Sequence, residues 1–348
     1  MKSRSYIATP PGATIREQLK DRKMNQKEFA LRMDMSEKHI SRLINGEVAL
    51  TPETAMHLEM VLGVPAHFWN SLEAVYREKL VMVKAENEMD AEKETAGKFP
   101  YGEMQKNGWV PEVPKPSDRV IELRKFFEVV SLGILNTSLF PRVACRRKTS
   151  TVKADCAALV WIQKAKLEAR KTGAEEIDLE KLEESLPAVR KMTLLEPSVF
   201  TPELSSLLSG CGVALVFLPH MTGSSLDSAA FRDGDRIVIA LAARSRDADR
   251  FWFSFFHEAA HILYGHVDNT EGTTEEEEDA ADSFARDLLI PPADFSAFVS
   301  SNRYDRSSIL SFAEKEGIDP SIVVGRLQKE KLIGYSQFND LKRKYSLV

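Results

Sequence analysis

Phe255-Phe256-His257-Glu258-Ala259-Ala260-His261-Ile262-Leu263 is the stretch on which the reading of this chain turns. It sets an H-E-x-x-H pattern inside an apolar run. On a helix, His257 and His261 stand at i and i+4, leave the same face and can share one divalent metal ion. Glu258 sits beside them, where a carboxylate can take a proton from a metal-bound water. The plain alternatives are a pair of core histidines, or a helix that carries two of the chain's seven His by accident.

A two-histidine site needs a third protein ligand that leaves one position open. The best candidate is Glu278. Residues 273–291 read as a second helix, with Thr274 as N-cap, Glu277 completing a capping box and Pro291-Pro292 ending it. Glu278, Ala281, Asp282, Ala285 and Leu289 share one face, and the alanines allow close approach to the His helix. Asp282, one turn on, is placed to accept a hydrogen bond from a ligand imidazole and fix its tautomer. The competing account is a solvated acidic first turn, Glu275 to Asp279, favoured by the helix dipole. It explains Glu275 and Glu276, but not a carboxylate on the apolar face. A metzincin is excluded: Gly265 and His266 fall four and five residues after His261, where three and six are needed, and no Met follows Met221. His266 reads as a residue of the helix C-terminus. Tyr264 and His220 are the available oxyanion donors, and neither is assigned.

His257-Glu258-Ala259-Ala260-His261, followed by Glu278, Ala281, Asp282, Phe284, Ala285, Leu288, Leu289 and Pro291, resembles the ImmA/IrrE family of metallopeptidase domains. The motifs are specific over residues 237–291. The resemblance implies a gluzincin-like zincin, with His257, His261 and Glu278 as metal ligands and Glu258 as catalytic base. It implies Zn²⁺, with another divalent metal such as Mn²⁺ as the alternative. It also implies cleavage of a regulatory protein.

At 348 residues, the chain is long enough for two or three domains. Its composition, 43% hydrophobic and 28% charged, is that of an ordinary soluble protein. No apolar run approaches the ~20 residues of a membrane span, and no apolar stretch follows the first residues as in a signal peptide. Cys145, Cys156 and Cys211 lack C-x-x-C spacing and read as reduced thiols. The expected location is cytoplasmic, with no membrane partner.

The N-terminal segment reads as five helices, at Ile15–Arg22, Gln26–Met33, Glu37–Asn45, Pro52–Leu62 and Ala66–Lys84. Thr14, Asn25, Ser36 and Thr51 are their N-cap candidates. Only Asp34-Met35 separate the second from the cap of the third, which is helix-turn-helix spacing. Ala30, Leu31, Ile40, Leu43 and Ile44 are expected to build its core. Asn25 and Gln26 can hold a backbone phosphate, and Ser36, Glu37, Lys38, Ser41 and Arg42 lie on the start and face of the recognition helix. Lys38 and Arg42 are the residues to reach phosphate or guanine edges. The bland alternative is a solvated polar face, and the segment is only weakly basic. Met24 to Gly46 resembles the Xre/lambda-repressor-like family, and the continuation to Trp69 is closer still to HigA-type antitoxins. This likeness covers residues 8–80. It implies operator DNA as partner, and the weak charge of the segment points to a homodimer on a palindrome to supply enough contacts.

Elsewhere, the charged and proline-rich residues 85–118 read as a linker, residues 119–200 as a helical intermediate region and 201–348 as the peptidase domain. Arg142, Arg146, Arg147 and Lys148 form a basic cluster near Cys145. Gly212–Leu218 and Arg236–Leu241 read as strands, and Ile237, Val238 and Ile239 are expected to form the edge that pairs with an extended substrate. A C-terminal helical pair, Ile309–Glu316 and Ser321–Lys331, reads as completing that domain. The expected fold is mainly α with a small β-sheet: a lambda-repressor-like helical domain at 1–84 and an α+β zincin-like domain. The expected function is a DNA-binding regulator whose metal-dependent endopeptidase cleaves a partner, a repressor or a toxin, or the regulator itself. The alternative is a non-proteolytic HigA-like antitoxin or repressor with a structural or vestigial metal site.

Overall fold

A computed structural model describes residues 2–3, 6–136, 151–173, 175–224, 226–243, 246–269 and 272–347. The basic cluster at Arg142–Lys148 lies outside these residues. The chain separates into two compact units, Met1–Lys93 and Glu94–Val348.

The first unit holds α1 (Gly12–Asp21), α2 (Gln26–Arg32), α3 (Glu37–Ile44), α4 (Pro52–Leu62) and most of α5 (Ala66–Ala96). The side chains of Asn25, Ser36 and Thr51 accept from the backbone N–H groups of Glu28, His39 and Thr54. Each satisfies a donor that its helix leaves unpaired. The core is Ile15, Leu19, Phe29, Ala30, Met33, Ile40, Leu43, Ile44, Leu58 and Trp69. Leu31, expected inside, is 81% exposed. Phe29 and Met33, four apart, define the inward face of α2 instead, and Leu31 falls about 200° round the helix from Phe29. The expected linker start is also corrected: α5 runs twelve residues past Lys84, because nine of those residues are Ala, Glu, Lys or Met, all good helix formers, against only Asn87, Asp90 and Thr95.

Gly12 opens α1 directly against the end of α3. A Cβ there would lie 1.9 Å from the Ile44 carbonyl oxygen and 2.3 Å from its Cα. Backbone cannot yield as a side-chain tip does. Gly12→Ala is therefore expected to destabilise this unit by about 3 kcal/mol, at the upper end of overpacking costs. Hydrogen exchange across α1–α3 measures it, and unchanged protection would refute the contact.

The second unit contains α6 (Tyr101–Lys106), α7 (Pro116–Phe127), α8 (Val152–Ala169), α9 (Leu179–Lys191) and α10 (Pro197–Ser209). Strands β1 (Val213–Leu218), β2 (Ser228–Asp233), β3 (Arg236–Ala242) and β4 (Arg246–Asp247) follow. Then come α11 (Ala248–Leu263), α12 (Glu275–Leu289), α13 (Pro292–Ser300), α14 (Arg306–Glu316), α15 (Pro320–Lys329) and β5 (Lys344–Tyr345). The main sheet has the order β1-β3-β2. β1 and β3 are parallel, with Val213 opposite Ile237. β2 and β3 form an antiparallel hairpin closed at Asp233 and Arg236, with Gly234 at φ +64° in the turn.

Because β3 is the middle strand, Ile237, Val238 and Ile239 have ladders on both sides and cannot pair with a substrate. That expectation is corrected: among the described residues the sheet's edges are β1 and β2, and of these β2 packs on α11. β3 reads as a continuous apolar run because both its faces are buried. Val213, Leu215, Ile237, Ile239 and Leu241 join a core with α9, α10, α11, α14 and α15, while α8 also packs on β1 and β3. The expected division at residue 200 falls inside α10, whose Phe200, Leu204 and Leu208 sit in that same core. Among the described residues, no helix is long and apolar enough to cross a membrane.

One distant segment, residues 342–345, anchors α11. β5 pairs with β4 immediately before the helix, and the Trp252 indole N–H donates to Tyr345 Oη at 3.0 Å. Lys342 Nζ donates to Asp249 Oδ2 at 2.7 Å. Gly325 on α15 leaves room for this carboxylate, which a Cβ would meet at 2.2 Å.

Candidate metal centre and DNA-facing helix

α11 is amphipathic in an unusual sense: one face is aromatic and the other carries the chemistry. Phe251, Trp252, Phe255, Phe256, Ala259 and Ile262 fill the core, which fixes the rotation of the helix and turns His257 and His261 towards α12. That second helix begins with the reciprocal Thr274–Glu277 capping box and buries Glu278, Ala281, Ala285 and Leu289. The small Ala281 and Ala285 let the two helices approach.

The three side chains converge. His257 Nε2 and His261 Nε2 lie 3.0 Å apart. The Glu278 carboxylate reaches both, Oε2 to His257 and Oε1 to His261, each at 3.5 Å. Asp282 Oδ1 is 2.9 Å from His257 Nδ1. Two contacts were not anticipated from sequence. His266 Nδ1 is 2.9 Å from His261 Nδ1, and the Thr273 hydroxyl donates to Glu278. Gly265, at φ +75°, turns the chain back over the last helical turn and delivers His266 to that position. A glycine just past a helix, with a histidine behind it, was the available signal.

Glu258 is 3% exposed, and its Oε2 has no hydrogen-bond partner among the described residues. Burial drives its pKa up to about 7, against the opposing pull of the His257 charge and of hydrogen bonding from Ser228 and the Ala230 backbone. Both contacts come from β2. Burial disfavours charge on His257, but hydrogen bonds to the Asp282 and Glu278 carboxylates and the charge of Glu258 prevail and push it up to about 10. His261 is held below the usual histidine range by burial and then by the charge on His257. Glu278 is held low although burial opposes it, through its bonds to His257 and Thr273 and the charges of both histidines.

The arrangement fits a divalent cation. A tetrahedral centre with bonds of about 2.0–2.1 Å has edges of roughly 3.3–3.4 Å, close to the 3.0, 3.5 and 3.5 Å separations here. His257, His261 and Glu278 thus form a possible metal site, two nitrogens and one carboxylate, all inside 4.8 Å.

Metal-free protein should reveal the burial of Glu258 through its pH dependence. Its pKa rises on folding from 4.5 to about 7, so the folded state binds the proton more tightly. That contribution is full below about pH 4.5 and is lost as pH rises through about 7. Relative to wild type, chelated Glu258→Gln is therefore expected to gain roughly 3 kcal/mol between pH 4.5 and 8. Urea unfolding over that range checks it, and a flat difference would refute it.

In the first unit, Lys38, Glu37 and Arg42 are exposed on α3, with Ser41 half-buried. Ser36 and Asn25 are occupied as caps. Gln26 Nε2 reaches the Glu37 carbonyl at 3.5 Å, linking the start of α2 to that of α3. Arg42 lies 3.7 Å from Glu47 across open solvent, where the pairing holds it only weakly. His220 stands 3.4 Å from Asp227, and Tyr264 is half exposed, packed edge-on to Phe284.

Comparison with known proteins assigns both parts. Residues 15–69 match a helix-turn-helix family, and residues 211–327 match the IrrE N-terminal-like domain of the M78 peptidases. Over 63 residues the chain is 38% identical to an uncharacterized HTH-type transcriptional regulator, YddM, of Escherichia coli K12, covering 18% of this chain and 67% of that protein. A solved addiction module antidote protein of a HigA family from Coxiella burnetii is 25% identical, over 26% of this chain and 96% of that one, with a TM-score of 0.22. The chain belongs to the helix-turn-helix regulators and carries, later in its sequence, a metallopeptidase-type domain of the IrrE N-terminal-like kind.

Proposed function

We infer that the protein is a cytoplasmic DNA-binding regulator that hydrolyses a peptide bond in a partner protein, a repressor or a toxin. The observation that carries this is the meeting of two Nε2 atoms and one carboxylate beside a buried Glu258 that lacks a partner for Oε2. His257, His261 and Glu278 would hold Zn²⁺, or Mn²⁺ in its place. When bound, the ion polarises the scissile carbonyl and makes water acidic enough to deprotonate near neutral pH. Asp282 orients the His257 ring, and His266 orients that of His261. Glu258 accepts the proton from the attacking water and returns it to the leaving amine. Its place against Ser228 and Ala230 supports β2 as the strand on which an extended substrate lies, backbone to backbone.

α2 and α3 would bind an operator, with Asn25 and Gln26 against phosphate and Lys38 and Arg42 at the groove. The weak charge of the segment favours a homodimer on a palindromic site, which doubles the contacts.

Bound metal is measured in wild type and Glu258→Gln, and each is incubated with host lysate while new N-termini are followed by mass spectrometry. Cleavage by wild type alone supports the reading and identifies the substrate. Metal in both without cleavage favours a structural site in a non-proteolytic regulator. No metal in either overturns the peptidase.

A further inference from the structure

A cavity of about 640 Å³ opens beside the metal centre, between α11, α12 and α15. Its position ties it to the site. Asp282, which holds His257, is part of its wall, as is Phe253, one turn before His257 and packed against that ring with centroids 6.3 Å apart. Asp227, at its other side, immediately precedes Ser228 of β2. The cavity therefore begins where the free edge of β2 begins and extends away from it. A peptide lying antiparallel to β2 passes Ala230 first and Ser228 next, so the residues after its scissile bond leave the strand at the Asp227 end.

The charges of the lining are unevenly spent. Three of its carboxylates are each paired through one oxygen: Asp249 with Lys342 at 2.7 Å, Glu330 with Arg326 at 2.9 Å and Asp282 with His257 at 2.9 Å; Asp227 lies 3.4 Å from His220, and the buried Asp249 Oδ1 has no hydrogen-bond partner among the described residues. Two cations are left over. Arg250 and Lys329 are exposed at the cavity and make no ion pair among the described residues. Arg286 stands nearby, paired with its sequence neighbour Asp287 and within the field of Glu330 and Asp282. Beneath this rim the floor is apolar, formed by Phe253, Leu289, Ile290 and Ile322. Burial depresses the pKa of half-buried Arg326, Glu330 opposes this, and the neighbouring Arg286 charge adds to the depression. The volume is within the ~300–1,000 Å³ range of ligand sites.

We propose that this cavity is the subsite for substrate residues on the C-terminal side of the scissile bond, and that it selects a carboxylate side chain next to an apolar one. The inference rests on the peptidase reading for its substrate, but its test does not require turnover. Arg250 and Lys329 supply the charge that recognises the carboxylate, while the floor buries its apolar neighbour. A free small dicarboxylate shares this chemistry and is the one other source of such a ligand.

The test uses full-length, zinc-loaded Glu258→Gln and two fluorescein-labelled decapeptide libraries, identical except for Glu or Gln at one fixed position followed by Leu. Anisotropy is expected to show the Glu library bound at least tenfold more tightly. Arg250→Glu with Lys329→Glu, in the same background, is expected to abolish or invert that preference. Equal binding of the two libraries, or no binding of either, overturns the subsite. So does a preference that survives the charge reversal. Displacement of the Glu library by millimolar glutarate would overturn it as a substrate subsite and assign the pocket to a free acid. Cleavage of the same libraries by wild type, read separately by mass spectrometry, judges the peptidase reading on its own.

Discussion

Glu258→Gln is expected to keep the fold and bound metal and to reduce peptide hydrolysis by about three orders of magnitude or more. Gln matches Glu in size, so the packed space against Ser228 and Ala230 remains filled. Metal content should hold because the converging donors belong to His257, His261 and Glu278, not to residue 258. The lost capacity is proton transfer: an amide can neither take a proton from water nor return one to the departing nitrogen. The loss should fall on kcat, with KM changing little, since Glu258 acts on the water and not on the substrate's side chains. Zinc content measured beside steady-state cleavage distinguishes this from misfolding. A variant with bound metal and near-wild-type turnover would remove Glu258 from the chemistry.

The second large effect belongs to the other unit. Lys38→Ala with Arg42→Ala is expected to weaken operator binding by about a hundredfold or more, at roughly 1–3 kcal/mol per base contact. If both residues touch phosphate instead, the loss is smaller per residue, and the dependence of log K on log salt flattens by about two. Both side chains are exposed on α3, so the fold should survive. Titration of an operator duplex at several salt concentrations gives affinity and slope together. Unaltered affinity would take α3 out of the groove.

Much of this molecule was legible in the sequence for reasons that were local. Caps at Asn25, Ser36, Thr51 and Thr274 are decided by bonds three residues long, and each is present. The spacing of His257, His261 and Glu278 survives into three dimensions because helix geometry relates the first two and small residues bring in the third. What sequence could not supply was non-local. Strand order depends on which segments meet, so Ile237–Ile239 were read as an edge although β1 and β2 cover both sides. A periodic pattern on a helix as short as α2 cannot distinguish Leu31 from Phe29. His266 depends on a turn at Gly265, and the cavity exists only because α15, some 70 positions after α11, returns to lie on it.

The anchoring of α11 also has a temporal side. Its Asp249 and Trp252 are held by Lys342 and Tyr345, partners 93 positions later in the chain. At synthesis rates of about 5–20 residues per second, the ribosome needs several seconds to deliver those partners after the helix has emerged. Throughout that interval, Asp249 and Trp252 lack these partners, while Phe200 and Phe217, made earlier, can already pack on the aromatic face. A growing chain would carry the two histidines before the β4–β5 pairing pins the start of their helix.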